Sequence, residues 1–279
     1  MSPVVVGVDD SEESLRAVEW AAGEAGRRRR PLRILHAFIW PLLGAPLGPA
    51  PGAPPEGGLR HAAERVLATA VDRARAVVPG IEVTTGLPES EPATALLHHS
   101  HQAELLVVGS RGLGEMGGLL LGSVGARLGT EAACPVVVVR GSVTPRGPVV
   151  VGIADHGESE ALLPFAFAHA ARTANTLMLA HVSAGGPADP SRAALPEHFL
   201  DRWQERFPAV TIVQEPLTGR PGKALMHAAA QASLLVVGSH HRHELGALLH
   251  GSVSQSVLHH ATCPVAIIQV RQPTESSRS

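Results

Sequence analysis

Residues 105–123 read LLVVGSRGLGEMGGLLLGS, and residues 234–252 read LLVVGSHHRHELGALLHGS. The two stretches lie 129 residues apart, and the offset holds without a gap through Cys134-Pro135-Val136 and Cys263-Pro264-Val265. Each opens with an apolar run of strand length, crosses a loop that closes on Gly-Ser, and continues into a helical pattern. Such a loop suits phosphate. Glycines let backbone N–H groups approach an anion, and a helix N-terminus carries partial positive charge. The copies are unequal, because His241 stands where the first has Gly112.

Working outward, residues 4–8 form an apolar run of strand length, and Asp9-Asp10-Ser11 then offers helix-capping side chains. Leu15, Val18, Ala22 and Ala25 recur at helical spacing, residues 32–38 read as a strand, and residues 39–58, rich in Pro and Gly, read as a long loop. Ala63, Val66, Leu67, Ala70, Ala74 and Val77 mark one helix face. Strands at 81–85, 105–109 and 136–139, with helices at 92–101 and 123–132, complete the first half. After a linker at 141–147 the order restarts. Strands are expected at 149–153, 176–182, 210–214, 234–238 and 265–270, and helices at 158–173, 222–232 and 252–260. One further helix carries Phe199, Trp203 and Phe207 four apart, the expected core face. Gly7 and Gly152 lie 145 residues apart, so the second copy is 16 residues shorter between its second and fourth strands. The expected division is a domain at 1–140, a second at 148–271, and a polar, disordered tail at 272–279. Alternating apolar strands and helices imply parallel sheets covered on both faces, with ligands bound where the strand order reverses.

The 279 residues carry a net charge of −2, so no global field favours nucleic acid or an anionic membrane. The one basic run, Arg27 to Arg30, falls where the first helix should end and complements its dipole. The opening residues do not resemble a signal peptide, and no apolar run approaches the roughly 20 residues that span a bilayer. Two cysteines make no disulfide framework, and the expected location is the cytoplasm.

The spacing Gly109-x2-Gly112-x9-Gly122-Ser123, the start Val6-Gly7-Val8-Asp9-Asp10-Ser11 and the Cys-Pro-Val before each last strand resemble the universal stress protein family. The resemblance covers both halves, as in tandem members of that family. It implies two five-stranded, doubly wound α/β domains of strand order 3-2-1-4-5, of the adenine nucleotide alpha hydrolase-like type. It also implies ATP, with Mg, between the first and fourth strands. Carried onto this sequence, Asp9 would hydrogen-bond the nucleoside beside Gly7 and Val8, and Ala37 would touch adenine. Val108, Gly109 and Gly112 would line ribose and phosphates, with Arg111 near the phosphates, while Gly122, Ser123 and Val124 would present N–H groups and a hydroxyl to them. A weaker second site would use Gly238, Gly251, Ser252 and Val253, because Ala154 replaces Asp9 and His241 replaces Gly112. The family also implies that the last strands of the two halves pair about a pseudo-twofold axis, an intrachain pseudo-dimer open to further homodimerisation.

Gly112-Leu-Gly114-Glu-Met-Gly117 satisfies GxGxxG by chance, since the dinucleotide fingerprint needs a tight strand-to-helix turn. No lysine precedes Ser123, and the only lysine is Lys223, so this is not a Walker loop. Without that lysine or an identifiable base, the reading is a nucleotide-responsive regulatory or protective module in stress response, with at most slow ATP hydrolysis. A slow ATPase or phosphotransferase on the same site, and a nucleotide-free interaction scaffold, are its rivals. His98 and His101 share a helical face that can hold metal, and His240, His241, His243 and His250 crowd the second loop. No recognised metal spacing appears, and scattered surface histidines are the expected outcome. Cys134 and Cys263 read as small buried residues that do not bridge.

Overall fold

The computed structural model describes residues 1–37, 58–110, 123–141, 144–153, 156–183, 195–240 and 252–270. The chain divides into two compact units, Met1–Val139 and Arg140–Ser279.

Unit 1 runs β1 (Val4–Gly7), α1 (Glu12–Arg28), β2 (Leu32–Leu35), α2 (Leu59–Val77), β3 (Val83–Gly86), α3 (Pro92–Ser100), β4 (Leu105–Gly109), α4 (Ser123–Glu131) and β5 (Val136–Val139). The strands are parallel in the order β3-β2-β1-β4-β5, so the order reverses between β1 and β4. Helices α1 and α2 pack together on one face, and α3 and α4 on the other. Cover on both faces explains the unbroken apolar strands: Val4, Val5 and Val6 are at most 1% exposed, and β5 is wholly buried. Each valine sequestered in this way stabilises the unit by about 1.5–3 kcal/mol.

Helix α1 starts where the Ser11 hydroxyl accepts from Ser14 N–H, with Glu12 and Glu13 in its first turn. The basic run at its end does more than complement the dipole. Arg27 and Arg28 pair with Glu24, whose side chain is fully buried, and Arg28 and Arg30 both reach Glu104 before β4. Arg29 takes the left-handed C-cap conformation, φ 55°.

Unit 2 runs β6 (Val149–Ile153), α5 (His156–Thr173), β7 (Leu177–Ser183), α6 (Glu197–Arg206), β8 (Ile212–Thr218), α7 (Pro221–Ala228), β9 (Leu234–His240), α8 (Ser252–His260) and β10 (Val265–Val270). Its parallel order, β8-β7-β6-β9-β10, reverses between β6 and β9. Phe167 of α5 is fully buried and stacks on Trp203 at 5.5 Å and Phe207 at 5.6 Å. Phe199, expected on the same core face, is half-buried under the Arg202 guanidinium at 4.7 Å, and Leu200 is the buried residue of that turn.

Two further expectations shift. Strand β8 begins and ends later than residues 210–214 and includes Pro216, because among the described residues it pairs with β7 alone and an edge strand tolerates a missing N–H. Strand β2 stops at Leu35 rather than 38. His36 N–H still reaches Gly86 O at 3.1 Å, but its imidazole turns to the Val8 carbonyl. The loop expected at 39–58 lies outside the described residues except Gly58, and so does the tail at 272–279.

Candidate nucleotide site at the carboxyl ends of β1 and β4

The site is built where β1 hands over to α1. Val8 N–H extends the pairing by donating to Leu35 O at 2.9 Å. Asp10 then takes a left-handed conformation, φ 69°, which a short polar side chain tolerates, and turns the chain into α1. The Asp9 Oδ1 atom accepts from Ser11 Oγ at 2.6 Å and from Ser11 N at 3.2 Å. The Asp9 N–H donates to Ser14 Oγ at 3.2 Å, and that hydroxyl donates to Ser11 O at 2.9 Å. The cap of α1 therefore aims the carboxylate. Sequence reading found Asp9 but missed Ser11 and Ser14 as its supports. The signal was present in Asp9-Asp10-Ser11, read only as a cap.

The glycines have reasons of their own. A Cβ on Gly7 would lie 2.9 Å from Leu96 Cδ1 of α3. A Cβ on Gly109 would lie 2.9 Å from the Glu13 carbonyl and 3.0 Å from Ser14 N. Both missing side chains thus make room for helices, and only the backbone of these residues is left for a ligand. Gly109 and Asp9 both meet the first turn of α1, which ties the end of β4 to the carboxylate. Val108 is buried, and Ser110, also buried, donates to Val139 O at 3.0 Å. Ser123 is exposed and Val124 half-buried at the start of α4, where the first N–H groups have no partner within the helix. Ala37 is half-buried just beyond β2. Arg111, Gly112 and Gly122 lie outside the described residues.

Unit 2 repeats part of this arrangement. A Cβ on Gly152 would meet Leu225 of α7 at 2.8 Å, matching Gly7 against Leu96. Gly238 differs from Gly109: its missing side chain leaves room for a carboxylate, with Glu158 Oε1 crowding the Cβ position. Glu158 is 7% exposed, whereas Glu13, its counterpart in the repeat, is half-exposed and pairs with Arg16 at 3.3 Å. Nothing in the sequence marked Glu158. Ala154, Asp155, His241 and Gly251 lie outside the described residues, while Ser252 and Val253 open α8.

The other candidate groups are quieter. His98 and His99 meet edge to face at 5.6 Å on α3. Burial, then the charges of Arg33 and His98, holds His99 below the ordinary histidine range. Among the described residues no three His, Cys, Asp or Glu side chains gather to hold a metal. Cys134 and Cys263 are free and buried, and burial pushes their thiols up to about 12 and about 11. Among the described residues no helix is long and apolar enough to cross a membrane.

Residues 1–140 and again residues 145–269 match the Universal stress protein family. The chain belongs to that family. A universal stress protein of Mycolicibacterium smegmatis is 36% identical over 287 residues, covering 96% of this chain and 97% of its own. The crystal structure of a universal stress protein from Archaeoglobus fulgidus DSM 4304 superposes with a TM-score of 0.70 at 22% identity, covering 96% of this chain and 98% of that one. A universal stress protein solved in complex with cAMP is 31% identical, covers 50% of this chain and 95% of its own, and has a TM-score of 0.38. In this universal stress protein, then, the strand order read from the resemblance is present in each unit.

Proposed function

We propose that unit 1 binds an adenine nucleotide, ATP with Mg, and that the protein acts as a nucleotide-responsive regulatory or protective module in stress response. The observation that carries this reading is the Asp9 carboxylate, held by two hydrogen bonds from Ser11 at the point where the strand order reverses. A carboxylate accepts from ribose hydroxyls, which places the nucleoside at the end of β1. Ala37 lines the adenine side, and Val108 and Gly109 line the ribose side. The phosphates go to the N-terminus of α4, where the N–H groups of Ser123 and Val124 and the helix dipole favour an anion. Mg accompanies the phosphates and offsets their charge.

Unit 2 binds nucleotide more weakly. It lacks the Asp9 carboxylate at Ala154, and His241 stands where unit 1 has Gly112. A charged hydrogen bond lost is worth about 1.5–3 kcal/mol, so an affinity gap of roughly a hundredfold is expected.

Calorimetric titration with Mg-ATP tests both statements, alongside mass spectrometry of nucleotide released from freshly purified, denatured protein. The expected result is about one tight ATP per chain, weakened roughly a hundredfold but still measurable in Asp9→Ala. Two sites of equal affinity would remove the asymmetry. No binding at all would favour an interaction scaffold. Phosphate release that depends on Ser123 would make the protein an enzyme.

A further inference from the structure

The peptide unit joining Val8 to Asp9 is gripped at both of its polar ends. Its N–H, on Asp9, donates to Ser14 Oγ at 3.2 Å, and its C=O, on Val8, lies 2.8 Å from His36 Nδ1. A carbonyl can only accept, so Nδ1 must carry the hydrogen. That assignment holds for the neutral Nδ1–H tautomer and for the imidazolium, so protonation of the ring does not release the grip. His36 is itself anchored, because its backbone N–H donates to Gly86 O at 3.1 Å. It is half-buried, and the next residue is Ala37, the expected adenine contact.

We infer that His36 is a positioning residue for nucleoside recognition. Through the Val8 carbonyl it sets the plane of the peptide that carries Asp9, and with it the spacing between the Asp9 carboxylate and Ala37. Ser14 grips the same peptide from α1, whose first turn also presses on Gly109. The end of β1 is thus held from β2 on one side and from α1 on the other. Holding both polar atoms of the peptide that precedes the Asp9 Cα steadies a carboxylate that would otherwise swing with a strand end. Neither His36 nor Ser14 needs to touch the ligand.

This inference rests on the proposed nucleotide site, and its test separates the two. His36→Leu keeps the bulk and removes the donor. His36→Asn returns an amide N–H at the position of Nδ1, since both nitrogens are bonded to Cγ. Affinity for Mg-ATP and for adenosine is measured by calorimetry on the full chain, with thermal melts to confirm folding. His36→Leu is expected to weaken both ligands by the same factor, roughly tenfold for one misaligned hydrogen bond. His36→Asn is expected to recover most of that loss. In an Asp9→Ala background His36→Leu should cost nothing further, because its effect passes through Asp9. A ligand-free readout stands beside these: imidazole ¹⁵N spectra should show hydrogen on Nδ1 of His36. Hydrogen on Nε2 alone, or an undiminished affinity in a folded His36→Leu variant, overturns the inference and leaves the nucleotide site standing. Additive losses in the Asp9→Ala background overturn it as well. If the wild-type chain binds no nucleotide, the functional reading falls and this role falls with it.

Discussion

Gly109→Ala is the sharpest structural perturbation of the site. The added methyl would lie 2.9 Å from the carbonyl carbon and oxygen of Glu13 and 3.0 Å from Ser14 N. Carbon contacts settle at about 3.5–4.0 Å, so the first turn of α1 must withdraw by roughly 0.5–1 Å. Those atoms are backbone and have no rotamer to change. Forcing extra volume into such a contact costs about 1–3 kcal/mol, against about 0.4–1 kcal/mol regained by stiffening the unfolded chain. The net loss is about 1–2 kcal/mol, a fall in Tm of about 3–8 °C for a unit of this size. Because Ser14 moves with the turn, the Asp9 N–H loses its partner, and nucleotide affinity should fall with stability. Gly7→Ala is the control. Its methyl meets Leu96 Cδ1 at 2.9 Å and Cδ2 at 3.3 Å, the ends of a side chain that can rotate away. Differential scanning calorimetry and titration of both variants decide the matter. A Gly109→Ala variant that melts and binds as the wild type does, or a Gly7→Ala variant that costs more, would refute this account of the α1 contact.

Other outcomes follow from single groups. Cys134 and Cys263, with thiols raised by burial from 9.0 to about 12 and about 11, should react with a thiol reagent at about pH 8 only after denaturation. Because folding favours their protonated forms, they add stability below about pH 9 that is lost as pH rises toward 11–12; rapid labelling of the native chain would contradict this. His99 is held neutral by burial and by the charges of Arg33 and His98, so its contribution is present above pH 6.5 and lost as pH falls. Urea unfolding of His99→Gln should show a flatter acid-side slope than the wild type. Glu91 caps α3 by accepting from Ala93 N at 3.0 Å and Thr94 N at 2.9 Å, and it pairs with Arg127 of α4 at 3.0 Å. Burial alone would raise its pKa, but those N–H groups, the Thr94 hydroxyl and Arg127 outweigh burial and hold it low. Glu91→Ala should cost about 1 kcal/mol in chemical denaturation and Glu91→Ser much less; equal losses would remove the cap from the explanation.

The fold was legible in the residues because it is a matter of periodicity and repetition. Apolar runs of strand length placed β1, β4 and β5, and the offset of 129 residues carried the same reading to β9 and β10. Where local signals misled, a neighbouring strand was the cause. The strand expected at 210–214 runs instead from Ile212 to Thr218 through Pro216, because among the described residues only one side of it is paired. The candidate site residues were legible as types, Asp9 after β1 and Ser123 at the start of α4, because a strand end and a helix start are local chemistry.

The periodicity and internal repeat of the sequence determined two α/β units, a phosphate-suited loop in each, and the loss of the Asp9 carboxylate from the second. Only the tertiary structure decided what stands behind those motifs. It turned the His36 ring to the Val8 carbonyl, set Ser14 on Asp9 N–H, and drew Glu24 and Glu104 into the arginine run at the end of α1. It also buried Glu158 against Gly238 while Glu13 stayed half-exposed, although both glutamates read alike in the chain. The physical reason is range. Periodicity and capping act within a few residues and are written in order, whereas a side chain's partner across a sheet is set by which strands lie side by side.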